Sequence, residues 1–179
     1  MSDRSFLFVL GSARRDGNAE ILARLAAEQL DADQRWIHLE DLPLAPFEDV
    51  RTEHEDEPHT PTGNEKVLYD ATTGVTDLVI VSPTYWYSVS NTTKRYLDHW
   101  SNWLRTPGFK DAVRGDTLWG VTALTEDKSR CEPLVGTLRN SAGYLRMRFG
   151  GVLIGNGDRP GDVLADTEAV AEAKTFFAG

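Results

Sequence analysis

Gly11, Ser12, Arg14, Gly17 and Asn18 place a hydroxyl, a planar cation, an amide and two residues without a Cβ within eight positions. The glycines permit backbone angles and close approaches that a side chain would block, and the polar groups suit an anion. The run Phe6 to Leu10 just before them is unbroken and apolar, as in a strand buried on both faces. After them Ile21, Leu22, Leu25, Ala26 and Leu30 recur at helical spacing, with Asn18 suited to the N-cap. The amides and positive dipole end of that helix would then point back into the loop, where a phosphate would be at home.

Two better known phosphate loops do not fit. A Walker A loop has four residues between its glycines and then Lys with Ser or Thr; here five separate Gly11 from Gly17, and Asn18 follows. The dinucleotide fingerprint G-x-G-x-x-G needs a second glycine where Ala13 stands. A further stretch, Asp77 to Ser82, reads as another buried strand and runs into Pro83-Thr84-Tyr85-Trp86-Tyr87-Ser88. Three consecutive aromatics in a loop after a parallel strand call for something flat to contact, although capping the core or a subunit contact would also occupy at least one of them.

Together, G-S-A-R-R-D-G-N behind its strand and S-P-T-Y-W-Y-S-V-S followed by Lys94 and Leu97-Asp98 resemble the flavodoxin-like NAD(P)H-dependent FMN reductases and quinone reductases. The likeness continues more weakly through H-L-E-D-L-P-L-A-P-F and G-N-G-D-R-P-G-D and covers essentially one domain, residues 1–179. It implies that FMN is the cofactor and NADPH or NADH the electron donor. The first loop would wrap the FMN phosphate through Ser12, Arg14, Gly17 and Asn18. Pro83, Thr84, Tyr85, Trp86, Tyr87 and Ser88 would contact ribityl and isoalloxazine, and Thr125 would join them from the end of a later strand. That later loop, Thr125 to Arg130, departs from the family in having no glycine.

The elements that must position these loops alternate. Arg35 to Leu39 reads as a second strand and Glu40 to Pro61 as a long loop with four prolines. Its run Glu53 to Glu57 is a solvated acidic face, and His54 and His59 are poor metal ligands in such a loop. Glu65 to Thr73 and Asn91 to Leu104 read as helices, the latter with Trp100 and Trp103 for the core or an interface, and Lys94 paired with Asp98. Thr117 to Leu124 is a fourth strand, Glu132 to Arg148 a helix interrupted near Ser141 to Gly143, Gly151 to Gly155 a fifth strand, and Asp162 to Phe177 a closing helix. This order predicts a doubly wound α/β fold, a flavodoxin-like five-stranded parallel sheet in the order 2-1-3-4-5 with helices on both faces. The switch point then lies between the first and third strands, from which both loops leave.

Composition narrows the partners. The net charge of -9 opposes nucleic acid and anionic membranes. The single Cys131 excludes an intramolecular disulfide and a cysteine-ligated cluster within one chain. The apolar run behind the polar N-terminal residues spans only about five positions, too few for a signal peptide or membrane span, so a cytoplasmic protein is expected. The expected activity is that of an FMN-dependent NAD(P)H oxidoreductase passing electrons to a quinone, flavin, azo or nitroaromatic small molecule, with no side chain acting as acid or base and no metal. The resemblance implies a homodimer or homotetramer. The alternative is a flavodoxin-type electron carrier docking on protein partners through its acidic surface; the low pI favours it, whereas Arg14 and Arg15 oppose it, since flavodoxins resemble one another in an uncharged phosphate loop.

Overall fold

The computed structural model describes residues 4–50 and 57–178. Five strands, β1 (Ser5–Leu10), β2 (Asp33–His38), β3 (Asp77–Val81), β4 (Thr117–Leu124) and β5 (Arg148–Asn156), form one parallel sheet in the order 2-1-3-4-5. The central three are the most apolar, and every residue of β3 and β4 is buried, as strands covered on both faces must be. Between them run α1 (Asn18–Ala27), α2 (Gly63–Thr73), α3 (Asn91–Trp103), α4 (Phe109–Ala112) and α5 (Glu132–Leu145), and α6 (Thr167–Ala173) follows β5.

Each face of the sheet has its own core. On one, Leu7, Leu78, Ile80 and Leu118 pack against α2, α3 and α5; Trp100 and Trp103 are buried here, so both belong to the chain's own core. Trp103 is edge-on to Tyr69, Tyr96 and Phe109, an arrangement that aromatic quadrupoles favour. On the other face Phe6, Phe8, Val79 and Val121 meet α1, α6 and Phe177.

Several boundaries differ from the sequence reading, each for a local reason. The helix read to Arg148 ends at Leu145 because Arg146 turns left-handed (φ 60°) and Met147 N–H bonds back to Ala142 O, closing the helix as a C-cap glycine usually does. It is not interrupted at Gly143, whose Cα faces open space. The fifth strand therefore starts at Arg148, with a register shift where the Trp119 ring fills the space that a Cβ on Gly150 would need. The closing helix is broken: Asp162–Ala165 forms a 3-10 turn, and Asp166 then caps α6 by accepting from Ala169 N. His54 and the acidic residues 53–56 lie outside the described residues. His59 bonds Glu65 Oε1, which also receives Trp103 Nε1 and faces His99 Nδ1.

The amino-terminal edge of the sheet is held by Asp77. Burial pushes its carboxyl up, but Arg4, Trp119 and Thr76 donate to it and together hold it below the ordinary carboxylate range. The opposite edge, where the strands end, opens into a cavity.

Candidate functional site

β1 delivers Gly11 to the switch point, where Gly11 N–H bonds Val81 O across to β3. A Cβ on Gly11 would stand 1.7 Å from Thr93 Oγ1, so only glycine lets the first loop pass under the start of α3. Ser90 caps α3 by accepting from Thr93 N and donates to Gly11 O at 2.5 Å, which fastens the two proposed loops to each other.

Beyond Gly11 the loop folds on itself: Ser12 Oγ accepts from Arg14 N at 3.0 Å, and Asp16 takes a left-handed φ of 54°. The N-cap of α1 is Gly17 rather than Asn18, with no side chain to bond the first helical amides. Asn18, expected as the cap, is instead the first helical residue, and its Oδ1 accepts from Gly161 N at 2.9 Å and Val163 N at 3.4 Å. Arg14 is exposed, and its guanidinium makes no hydrogen bond or ion pair among the described residues, whereas its neighbour Arg15 pairs with Asp41.

The aromatic turn after β3 is closed by reciprocal backbone bonds between Tyr85 and Ser88. Trp86 and Tyr87 both take left-handed angles, φ 49° and 65°, an uncommon state for bulky residues. None of the three rings caps the core: Tyr85 is 50 %, Trp86 94 % and Tyr87 40 % exposed. The turn lifts them off the sheet because Pro83 and Thr84 still follow β4, with Thr84 N on Ala123 O and its hydroxyl on Thr122. Cys131 lies buried under Thr84; burial pushes its thiol pKa up, against a smaller pull from the Thr84 hydroxyl, so it is held as the neutral thiol.

These loops surround a cavity of about 480 Å³, in the range of small-molecule sites. Of the residues singled out from sequence, Ser12, Arg14, Gly17, Asn18, Pro83, Thr84, Tyr85, Trp86, Tyr87 and Thr125 all line it. Ser88 does not; it closes the turn from behind. Sequence reasoning missed Glu20, Glu126, Gly157, Asp158 and Pro160, which complete the wall. The last three belong to the loop after β5, and the same rule that put ligand loops at the strand ends of β1 and β3 could have found them. Beside that wall a shallower depression holds Asp127, Asp162 and Asp166 with Lys128, whose ammonium is taken up by Asp166 and Glu168. Among the described residues no three His, Cys, Asp or Glu side chains are arranged to hold a metal, and no helix is long and apolar enough to cross a membrane.

Comparison with known proteins agrees with this geometry. Residues 5–149 match the family model described as NADPH-dependent FMN reductase. The Bacillus subtilis (strain 168) protein named "Putative NAD(P)H-dependent FMN-containing oxidoreductase YwqN" is 30 % identical over 177 residues, which is 93 % of each chain. Among solved structures, the Trp repressor binding protein from Bacillus subtilis superimposes with a TM-score of 0.74 at 23 % identity over 97 % of both chains. General stress protein 14 from Treponema denticola, solved in complex with FMN, does so with a TM-score of 0.64 at 13 % identity, over 97 % of this chain and 96 % of that one. At those identities the two structures speak for the fold.

Proposed function

The chain belongs to the NADPH-dependent FMN reductase family, from which we infer that it holds FMN in the switch-point cavity and carries electrons from NAD(P)H to a small acceptor. The observation that carries this reading is the division of one cavity into two chemistries. The uncapped amides of α1 and Arg14, whose guanidinium is unpaired among the described residues, share its lining with the exposed rings of Tyr85, Trp86 and Tyr87.

The residues present fit the group. Ser12, Arg14, Gly17 and Asn18 would hold the phosphate, with the first-turn amides of α1 donating and the guanidinium neutralising charge. Pro83, Thr84 and the aromatic turn would flank the ribityl chain and ring, with Thr125 from the end of β4. The bound cofactor would supply the hydride and electron chemistry, which the protein need only bind, orient and tune. No titratable side chain is therefore assigned a proton transfer. Trp86 and Tyr87 shape the open side, where nicotinamide and a quinone, flavin, azo or nitroaromatic acceptor would have to enter. A second copy of the chain, as in a homodimer or homotetramer, would shelter that side.

The test is the absorbance spectrum of purified protein with and without added FMN, followed by anaerobic NADPH or NADH. Bound flavin bands that bleach support the reductase reading and identify the donor. Bands that persist favour an electron carrier, and failure to take up FMN overturns the reading.

A further inference from the structure

Glu20 is 3 % exposed, stands at the third position of α1 and lines the cavity beside Gly17 and Asn18. A buried carboxylate next to a place built for a phosphate repels the ligand, so its presence calls for a compensating task. Its Oε1 receives Arg24 at 2.7 and 3.1 Å and lies 3.5 Å from His38 Nε2 at the end of β2, so a cation of α1 and an imidazole of β2 both face it. Its Oε2 accepts the backbone N–H of Asp16 at 3.1 Å. Asp16 is the residue with φ 54°, a conformation that costs a non-glycine residue energy and needs outside support.

In a capping box the N-cap side chain bonds the amide of the third helical residue, and the glutamate at that position reaches back to the N-cap amide. Here the glutamate reaches one residue further back, to Asp16, and the N-cap is Gly17, which has no side chain to return the bond. Half of the exchange is made on the protein side and the other half is left open toward the cavity. Resting on the flavin reading above, we propose that Glu20 is a positioning residue for the FMN phosphate. It locks the 12–17 turn so that Arg14 and the first amides of α1 stay directed at the cavity, and a phosphate oxygen completes the cap that Gly17 leaves open. Arg24 offsets the charge that this arrangement places near the ligand.

Titration of flavin-free protein with FMN and with riboflavin, which lacks the phosphate, tests this by flavin fluorescence. In Glu20→Ala the affinity for FMN falls about tenfold or more, the size of one lost charge-assisted hydrogen bond, while that for riboflavin changes less than about twofold. Adding Asp16→Gly, which takes the left-handed turn without support, restores most of the loss. Equal losses for the two flavins, or unchanged FMN binding in a folded Glu20→Ala protein, overturn the proposal. Should that variant not fold, hydrogen exchange at the Asp16 amide of the wild type decides: protection supports the lock, and exchange at the rate of an open loop overturns it. A wild type that binds neither flavin would instead overturn the flavin reading on which the proposal rests.

Discussion

Asn18 Oδ1 accepts the Gly161 N–H at 2.9 Å across 143 residues of sequence, joining the first residue of α1 to the loop after β5. One side chain thereby fixes two walls of the cavity, and its worth is measurable. Asn18→Ala removes this bond and the weaker one from Val163, which costs about 1–2 kcal/mol in urea unfolding, whereas Asn18→Asp keeps the acceptor and most of the stability.

Arg14 is assigned by our proposal to the ligand and not to the fold, since among the described residues its guanidinium makes no hydrogen bond or ion pair. Arg14→Ala is expected to leave the unfolding midpoint unchanged and to weaken FMN binding about tenfold or more, with turnover at saturating FMN within about twofold of wild type. Equal FMN retention in the two proteins would remove Arg14 from the phosphate site.

Gly17 can be filled: a Cβ there meets only Ser12 Oγ, at 3.7 Å, and its φ of -71° suits any residue. Gly17→Asp supplies the missing cap and a negative charge together. Stability rises by about a few tenths of a kcal/mol while FMN binding falls steeply, a divergence that thermal melts and flavin titration read side by side.

Gly11 cannot be filled. Gly11→Ala drives a Cβ into Thr93 Oγ1, so either α3 shifts from β1 or the chain unfolds, with a cost of about 3 kcal/mol or more expected. Thr93→Ala removes the clashing oxygen, and the double variant should be more stable than Gly11→Ala alone; additive losses would show that the clash is relieved elsewhere.

Asp116 contributes a pH dependence far from the cavity. Burial, and then the charge of Asp77, push its carboxyl up to about 6, against a smaller pull from Arg148. The folded chain therefore holds this proton more tightly than the unfolded one, so stability falls as pH rises from about 4 to about 6 and the penalty is fully present above that. Asp116→Asn should gain about 1–2 kcal/mol at pH 7, allowing for solvent screening of a half-buried site, and gain nothing at pH 3.5. Urea midpoints at the two pH values check both sign and window.

Both principal loops were legible in the sequence because each rests on a local pattern, an apolar run and then residues whose chemistry does not suit a buried turn, and the sheet order followed from the alternation of elements and the family resemblance. Thr117 to Leu124 matches its strand to the residue for the same reason. What was not legible depends on contacts distant in sequence. Asn18 looks like an N-cap until the Gly161 amide competes for its oxygen, and Glu20 looks like an ordinary surface position of a helix until Asp16, Arg24 and His38 converge on it. The early end of α5 at a left-handed arginine has no propensity signal, since glycine is the residue that usually marks such a stop. Glu126 and Asp158 enter the site only because β4 and β5 end beside it.

Of the tryptophans, Trp100, Trp103 and Trp119 are buried, Trp36 is stacked on Phe8, and Trp86 stands at the cavity with 94 % of its surface in water. The chain thus carries two separate optical reporters. Emission from Trp86 lies to the red and is the component that a flat, absorbing molecule in the cavity would extinguish; emission from the sheltered indoles lies to the blue and shifts only when the sheet opens. Emission read on the red side of the indole band should therefore follow occupancy in the unlabelled protein, emission on the blue side should follow unfolding, and a Trp86→Phe variant should silence the first signal.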